Sequence, residues 1–423
     1  MTIMRERGAA MPNSDVEVVV VGGGAAGVAA GKCLHRASVD CLLVEARPRL
    51  GGRAYTVVDP SGSTLDLGCG WLHSADHNPW VRVADEEGVA LDKTLPPWQR
   101  RTLETGFPRA EQNAFQEAMG EFFARLHQAA QGDKDAAAVT LLEPGNRWNG
   151  MINSVCTYIS GGDLEKLSVK DFDRYEDTGV NYRVFKGYGA LIADYGSDIP
   201  QMLDCPVRAI DHSGQRLRIE TDKGAIAADQ VIVTVPSAVL AAEQITFTPS
   251  LPDKIAAARG LPLGLADKLF MALEGAEEFE KETRLFGRTD RKGTGGYHLR
   301  PFGRPLIEAY FAGGLAAELE RGGDSAFFDF AVSELVGLFG SGFSRRLMPI
   351  QVHRWANDPY ALGSYSFALP GFADSRSVLA APIDNRLFFA GEACSTHDFS
   401  TAHGGYLTGI AAADDVIASR RKF

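Results

Sequence analysis

The sequence predicts an α/β protein of two interleaved domains, and three observations carry that prediction. A β-branched run at residues 16–21 (VEVVVV) leads directly into Gly22-Gly23-Gly24-Ala25-Ala26-Gly27 and a small-residue helix, and a second apolar run then ends in Glu45. The change from strand to helix periodicity at the glycines marks a β-α-β unit. Buried-strand patterns of the same kind return far downstream, at 230–235 (QVIVTV) and 386–390 (RLFFA). One domain is therefore expected from scattered segments, 15–80, 200–265 and 380–423, with 81–199 and 266–379 forming an α+β partner. A length of 423 residues suits two cores better than one.

The elements follow in order. Residues 1–14 carry basic side chains without an apolar stretch and read as a disordered leader, not a signal peptide. Residues 84–131 read as largely helical, most clearly where Phe115, Met119, Phe122, Phe123 and Leu126 recur at three- and four-residue steps. Residues 216–220 alternate, Lys223-Gly224 reads as a hairpin turn, and Pro236 closes the strand before it. Residues 267–275 and 305–312 read as strands of a second sheet, and a helix follows His403.

Composition excludes several classes. The formal net charge of -11 opposes nucleic-acid binding, which needs concentrated positive charge. None of the six cysteines forms a C-x-x-C pair or a zinc-type array with histidines, so no metal site is expected and a reducing compartment is the simplest setting. No membrane span is expected. The reading is of a cytoplasmic protein that handles a small molecule.

Gly22, Gly24 and Gly27 form G-x-G-x-x-G between strand and helix. The first permits the tight turn, the second lets backbone N–H groups approach a pyrophosphate, and the third lets the helix pack on the strand. Glu45, 18 residues beyond Gly27, is placed to accept ribose hydroxyl protons. The motif alone does not separate NAD from FAD. The segment Arg47-Pro-Arg-Leu-Gly51-Gly52-Arg53 does, because a simple NAD dehydrogenase has no use for a second glycine pair with an arginine here.

With these residues (VVVVGGGAAG and LLVEARPRLGGRAYT) the chain resembles the flavin-containing amine oxidase family, closest in motifs to polyamine oxidases. The resemblance implies a two-dinucleotide, Rossmann-like FAD-binding domain interleaved with a substrate-binding domain, and non-covalent FAD, since Ser364 stands where monoamine oxidases carry the linking cysteine. It implies cofactor contacts from Ala26, Ala46, Arg47, Gly52 and Arg53. Gly68, Cys69, Gly70 and Trp71 would add further contacts from the block 65–79 (LDLGCGWLHSADHNP). Val207 would meet the adenine, Trp355 and Gly391 the cofactor, and Glu392 the ribityl or pyrophosphate region. Thr401 and Ala402 would offer N–H groups at a helix start. Lys268 would hold a water at the flavin, Tyr365 would form one wall of an aromatic cage, and His73 would point into the substrate cavity. A second cage tyrosine is replaced by Thr401. The G-A-M-R carboxylate signature of many amino-acid oxidases is absent at 68–71.

The implied chemistry is oxidation of an amine, a polyamine or another primary or secondary amine, with dioxygen as acceptor and peroxide as product. Among the acids 171–177, Glu176 is the candidate for a remote ammonium group, and Phe399 lies beside the expected cavity. An L-amino-acid oxidase, an isoprenoid desaturase-type flavoprotein and a non-catalytic flavin-binding module stay open as alternatives.

Overall fold

The computed structural model describes residues 15–420, and the expected leader at 1–14 lies outside them. The strand Asp15–Val21 forms at the centre of an eight-stranded sheet because its valines are buried on both faces, as parallel central strands require. It pairs in parallel with Cys41–Val44 on one side and Gly224–Val233 on the other. Beyond Cys41–Val44 lies the short strand Gln201–Met202.

The other edge of Gly224–Val233 is shared between two partners. Its first half pairs antiparallel with Leu217–Thr221, turning through Lys223-Gly224 as expected, and its second half pairs in parallel with Leu387–Phe389. Val207–Asp211 and Thr246–Thr248 complete that edge. Strands near residues 15, 41, 201, 207, 246 and 387 therefore share one sheet. Its covering draws on intervening chain as well: Trp80, Val83 and Ala84, and Leu191, Ile192 and Tyr195, lie in one core with the helix Ala25–Arg36.

The second sheet has five antiparallel strands in the order Thr283–Phe286, Gly296–Leu299, Leu306–Ala312, Ala266–Leu273, Leu347–Val352. One face is apolar. Leu269, Met271, Leu285, Leu299, Ile307 and Phe311 pack there under the helices Gly313–Gly322 and Asp324–Phe339. The other face, at alternate positions, is the polar one described below.

The helical reading of 84–131 holds only in part. A helix Pro79–Glu86 ends at Gly88, whose φ of +64° is left-handed. A strand Leu91–Asp92 and a single 3-10 turn Pro97–Gln99 intervene before the helix Arg109–Ala130. Pro96, Pro97 and Pro108 lack the N–H a helix interior needs, which outweighs the periodicity around them.

Candidate active site

A cavity of about 1020 Å³ runs from the glycine turns of the large sheet to the polar face of the small one. At its first end two glycine turns touch. Gly51 N donates to Gly23 O at 2.8 Å, and a Cβ on Gly52 would stand 3.0 Å from the Gly24 Cα. Gly27 has no room for a side chain, since a Cβ would lie 1.8 Å from Gly22 O. The Glu45 carboxylate clamps the turns by accepting Gly23 N at 2.6 Å and Arg47 N at 2.8 Å. Its role within the protein is thus partly to hold backbone.

Distant segments close the cradle. Arg53 Nη1 donates to Ser364 O (2.7 Å) and to Glu392 Oε1 (2.9 Å). Glu392 also accepts the Ser366 hydroxyl at 2.6 Å and Ser400 N at 2.9 Å. Burial opposes its ionisation, but the Arg53 charge and the Ser366 bond outweigh this and hold the carboxyl below the usual carboxylate range. The helix Ala402–Arg420 packs directly on Ala25–Arg36, so close that a Cβ on Gly409 would lie 2.2 Å from Ala26 O. Two helix N-termini, at Ala25 and Ala402, therefore face one cavity with partial positive charge. Ala46, Arg47, Gly68, Cys69, Gly70, Trp71, Val207, Trp355, Gly391 and Thr401 all line it, whereas Gly27 lies behind the turn. Trp355 is buried, with Nε1 donating to Leu67 O at 3.2 Å.

At the other end the small sheet supplies two rows. Register places Lys268 opposite Tyr310 and Tyr310 opposite Gly296, while Glu308 stands opposite His298 and His298 opposite Arg284. Directly opposed residues share a face, so these side chains all turn to the cavity. Lys268 Nζ donates to Asp66 O at 3.0 Å and pairs with Glu308 Oε1 at 3.1 Å. Burial alone would lower the lysine pKa, but the Glu308 and Asp66 charges outweigh it and raise it. The same pair lowers the pKa of Glu308 against its own burial.

Tyr365 donates to Tyr158 O at 2.8 Å, and its oxygen lies 3.0 Å from the Tyr310 hydroxyl. Burial pushes the Tyr365 phenol well above its ordinary pKa. His73 Nδ1 lies 2.6 Å from Asn181 Oδ1, an acceptor, which makes Nδ1 the donor and leaves Nε2 to accept. Burial is the main cause that lowers the His73 pKa, although Asp177 at 3.7 Å acts in the opposite sense. Trp98, edge-on to Trp71 at 4.6 Å between centroids, stands half-exposed beside His73.

A profile of the family described as flavin containing amine oxidoreductase matches residues 25–417. The chain belongs to the flavin-containing amine oxidoreductases. It is an FAD-dependent amine oxidoreductase. Polyamine oxidase 5 of Oryza sativa subsp. japonica is 29% identical to it over 95% of this chain and 88% of that protein. Polyamine oxidase 2 of Arabidopsis thaliana is 29% identical over 96% and 89%. Lysine-specific histone demethylase 2 of Homo sapiens is 25% identical over 95% of this chain but 53% of that protein.

The cradle fits the FAD this family uses: paired glycine turns leave room where a Cβ would intrude, and two helix N-termini face the same cavity, where their N–H groups suit the anionic and acceptor atoms of such a cofactor. Two expected substrate residues lie elsewhere. The Glu176 side chain is 72% exposed and pairs with His397 at 3.3 Å, turned to solvent instead of the cavity. Phe399 is buried behind the site, with the Arg376 guanidinium 3.7 Å from its ring centroid. That arginine holds Asp171 at 2.6 and 2.8 Å, a buried pair that braces Ser366. Glu308, Tyr310, Tyr158 and Asp66 were not singled out from sequence. An alternating acid and tyrosine at 308 and 310 were the available signal.

Proposed function

We propose that the protein oxidises a primary or secondary amine that enters along the apolar arm of the cavity. Non-covalent FAD would be held by the glycine cradle, by the N-termini at Ala25 and Ala402, and by Arg53 and Glu392. Bound FAD supplies the two-electron acceptor for the C–H bond beside the amine nitrogen and passes the electrons to dioxygen, giving hydrogen peroxide. The observation that carries the reading is the buried Lys268–Glu308 pair on the same cavity wall as Tyr310, with Tyr365 bonded to it.

The protein's own groups then have distinct tasks. Lys268 stays protonated beside Glu308 and can order a water near the reacting carbon. The Tyr365 hydroxyl is engaged with Tyr158 and Tyr310, so the ring is what it offers to an incoming amine. His73, with Nε2 free to accept, can take the proton of an arriving ammonium group and leave the neutral amine that oxidation requires. Trp98 and Trp71 narrow the approach beside it and limit water.

Support for a polycationic substrate is thinner than the motifs implied. Asp171 is locked to Arg376 and Glu176 faces solvent, while Asp173 lies 3.1 Å from His127. The test is an anaerobic titration of the purified flavoprotein with a panel of amines, followed by air. Loss of flavin absorbance with one amine class, and peroxide on reoxygenation, would establish the activity. A flavin that no amine reduces would favour the desaturase or non-catalytic reading.

A further inference from the structure

Charged groups facing the cavity are matched almost throughout. Lys268 has Glu308, Arg53 has Glu392, Arg47 has Asp358 at 2.5 Å, and Arg208 has Asp222 at 2.7 Å. Among the acids, Asp173 faces His127 and Asp177 faces His73. Arg284 breaks the pattern. Its backbone carbonyl is used by Leu103 N, but among the described residues its guanidinium has neither a hydrogen-bond nor an ion-pair partner. It lies 4.3 Å from the ring centroid of Phe286 and lines the cavity.

Apart from His298, which stands opposite Arg284 and is engaged with Glu282 at 2.7 Å, the arm of the cavity that holds Arg284 is lined largely by apolar side chains. Phe115, Met119 and Phe123 from Arg109–Ala130 line the same cavity, with Val155 and Ile159 from Asn149–Ser160. The side chain is only partly buried, and its guanidinium stands at the open cavity with no acid beside it, so it is free to receive an anionic ligand. Its planar fork pairs most strongly with a carboxylate.

Position sets how the ligand must be built. Lys268 and Arg284 stand on strands three steps apart, in the order Ala266–Leu273, Leu306–Ala312, Gly296–Leu299, Thr283–Phe286. At 4.7–4.9 Å per step the two strands are roughly 14 Å apart. An α-amino acid is too short to reach both ends. A polyamine would bring an ammonium group to an arginine.

We propose that Arg284 is a specificity-determining residue that receives a carboxylate at the far end of the substrate, so that the amine oxidised here carries an apolar chain ending in an anion. This rests on the amine-oxidase reading of the cavity.

Three probes of equal chain length test it on the FAD-loaded protein: 1-aminooctane, 1,8-diaminooctane and 8-aminooctanoate. The expected order of kcat/KM places 8-aminooctanoate first and the diamine last. Arg284→Met should reduce the ratio of 8-aminooctanoate to 1-aminooctane by about tenfold or more, and Arg284→Glu should bring the diamine ahead. Calorimetry with octanoate, which has no amine to oxidise, should show binding that octanamide lacks and that Arg284→Met abolishes. A wild-type preference for the diamine, or ratios unmoved by both substitutions, would overturn the assignment while leaving amine oxidation intact. Octanoate binding that depends on Arg284, with no amine reducing the flavin, would uphold the subsite and overturn the oxidase reading instead.

Discussion

The glycine cradle and the polar face of the small sheet bound the same cavity by opposite means. At the heart of the cradle is backbone: its turns are close because side chains are missing, and helix ends add partial charge to that of the Arg53–Glu392 pair that closes it. The sheet face is made of side chains, set in rows by strand register and held by ion pairs. Backbone sites of the first kind tolerate almost no added atom. Side-chain sites of the second kind tolerate shape changes better than charge changes, because removing one partner strands a buried charge.

The largest expected effect breaks the cradle. Gly27→Val would drive a side chain into Gly22 O, so purified protein should retain less than about a tenth of its flavin, read from absorbance per chain, since the clash leaves no relaxed alternative. On the sheet face, Lys268→Met should keep its flavin but lower the rate of anaerobic flavin reduction by about 10²- to 10³-fold, the scale of losing one electrostatic stabiliser. A variant that lost flavin as readily as the glycine mutant would erase the distinction between the two ends.

A pH profile sharpens it further. The His73 pKa is lowered in the folded protein, so the unfolded chain takes up this proton first. Its contribution to stability is full above about pH 6.5 and is lost as pH falls toward the folded value. The acid limb of kcat/KM should accordingly fall below pH 6.5, and His73→Gln should remove that limb. A limb above 6.5 would assign it to another group.

The smallest effect comes from Asp267, buried beside Lys268 on the same strand. Burial and the neighbouring Glu320 raise its pKa well above the carboxylate range, and its Oδ1 accepts Trp355 N at 3.3 Å. A raised acid pKa gives stability that is complete below the unfolded value and is lost as pH rises through the folded one. Asp267→Asn keeps an acceptor for Trp355 and drops the charge. The melting temperature should therefore gain a few degrees at pH 8 and almost nothing at pH 4.

The contrast also explains what could be read from the residues alone. Gly22, Gly24, Gly27 and Glu45 act within one short segment, so spacing suffices to place them. Lys268 and Tyr365 were recognisable through their family motifs. Glu308, Tyr310 and Arg284 were not, because each acquires its meaning from a residue opposite it on another strand, and register is not written in any one segment. Glu176 illustrates the converse: an acid in the right stretch of chain points outward to His397, while Asp171, five residues earlier, is the one drawn inward, by Arg376. The overextended helix at 84–108 failed for a local reason, three prolines inside an apolar pattern.

The contact between the helices Ala25–Arg36 and Ala402–Arg420 also bears on biosynthesis. Half of the cofactor cradle leaves the ribosome early, while Glu392 and the second helix N-terminus follow some 370 residues later. At 5–20 residues per second that interval is roughly 20–70 s. Throughout it the growing polypeptide lacks Glu392 and the second helix N-terminus, so closure of the cradle awaits translation past residue 402.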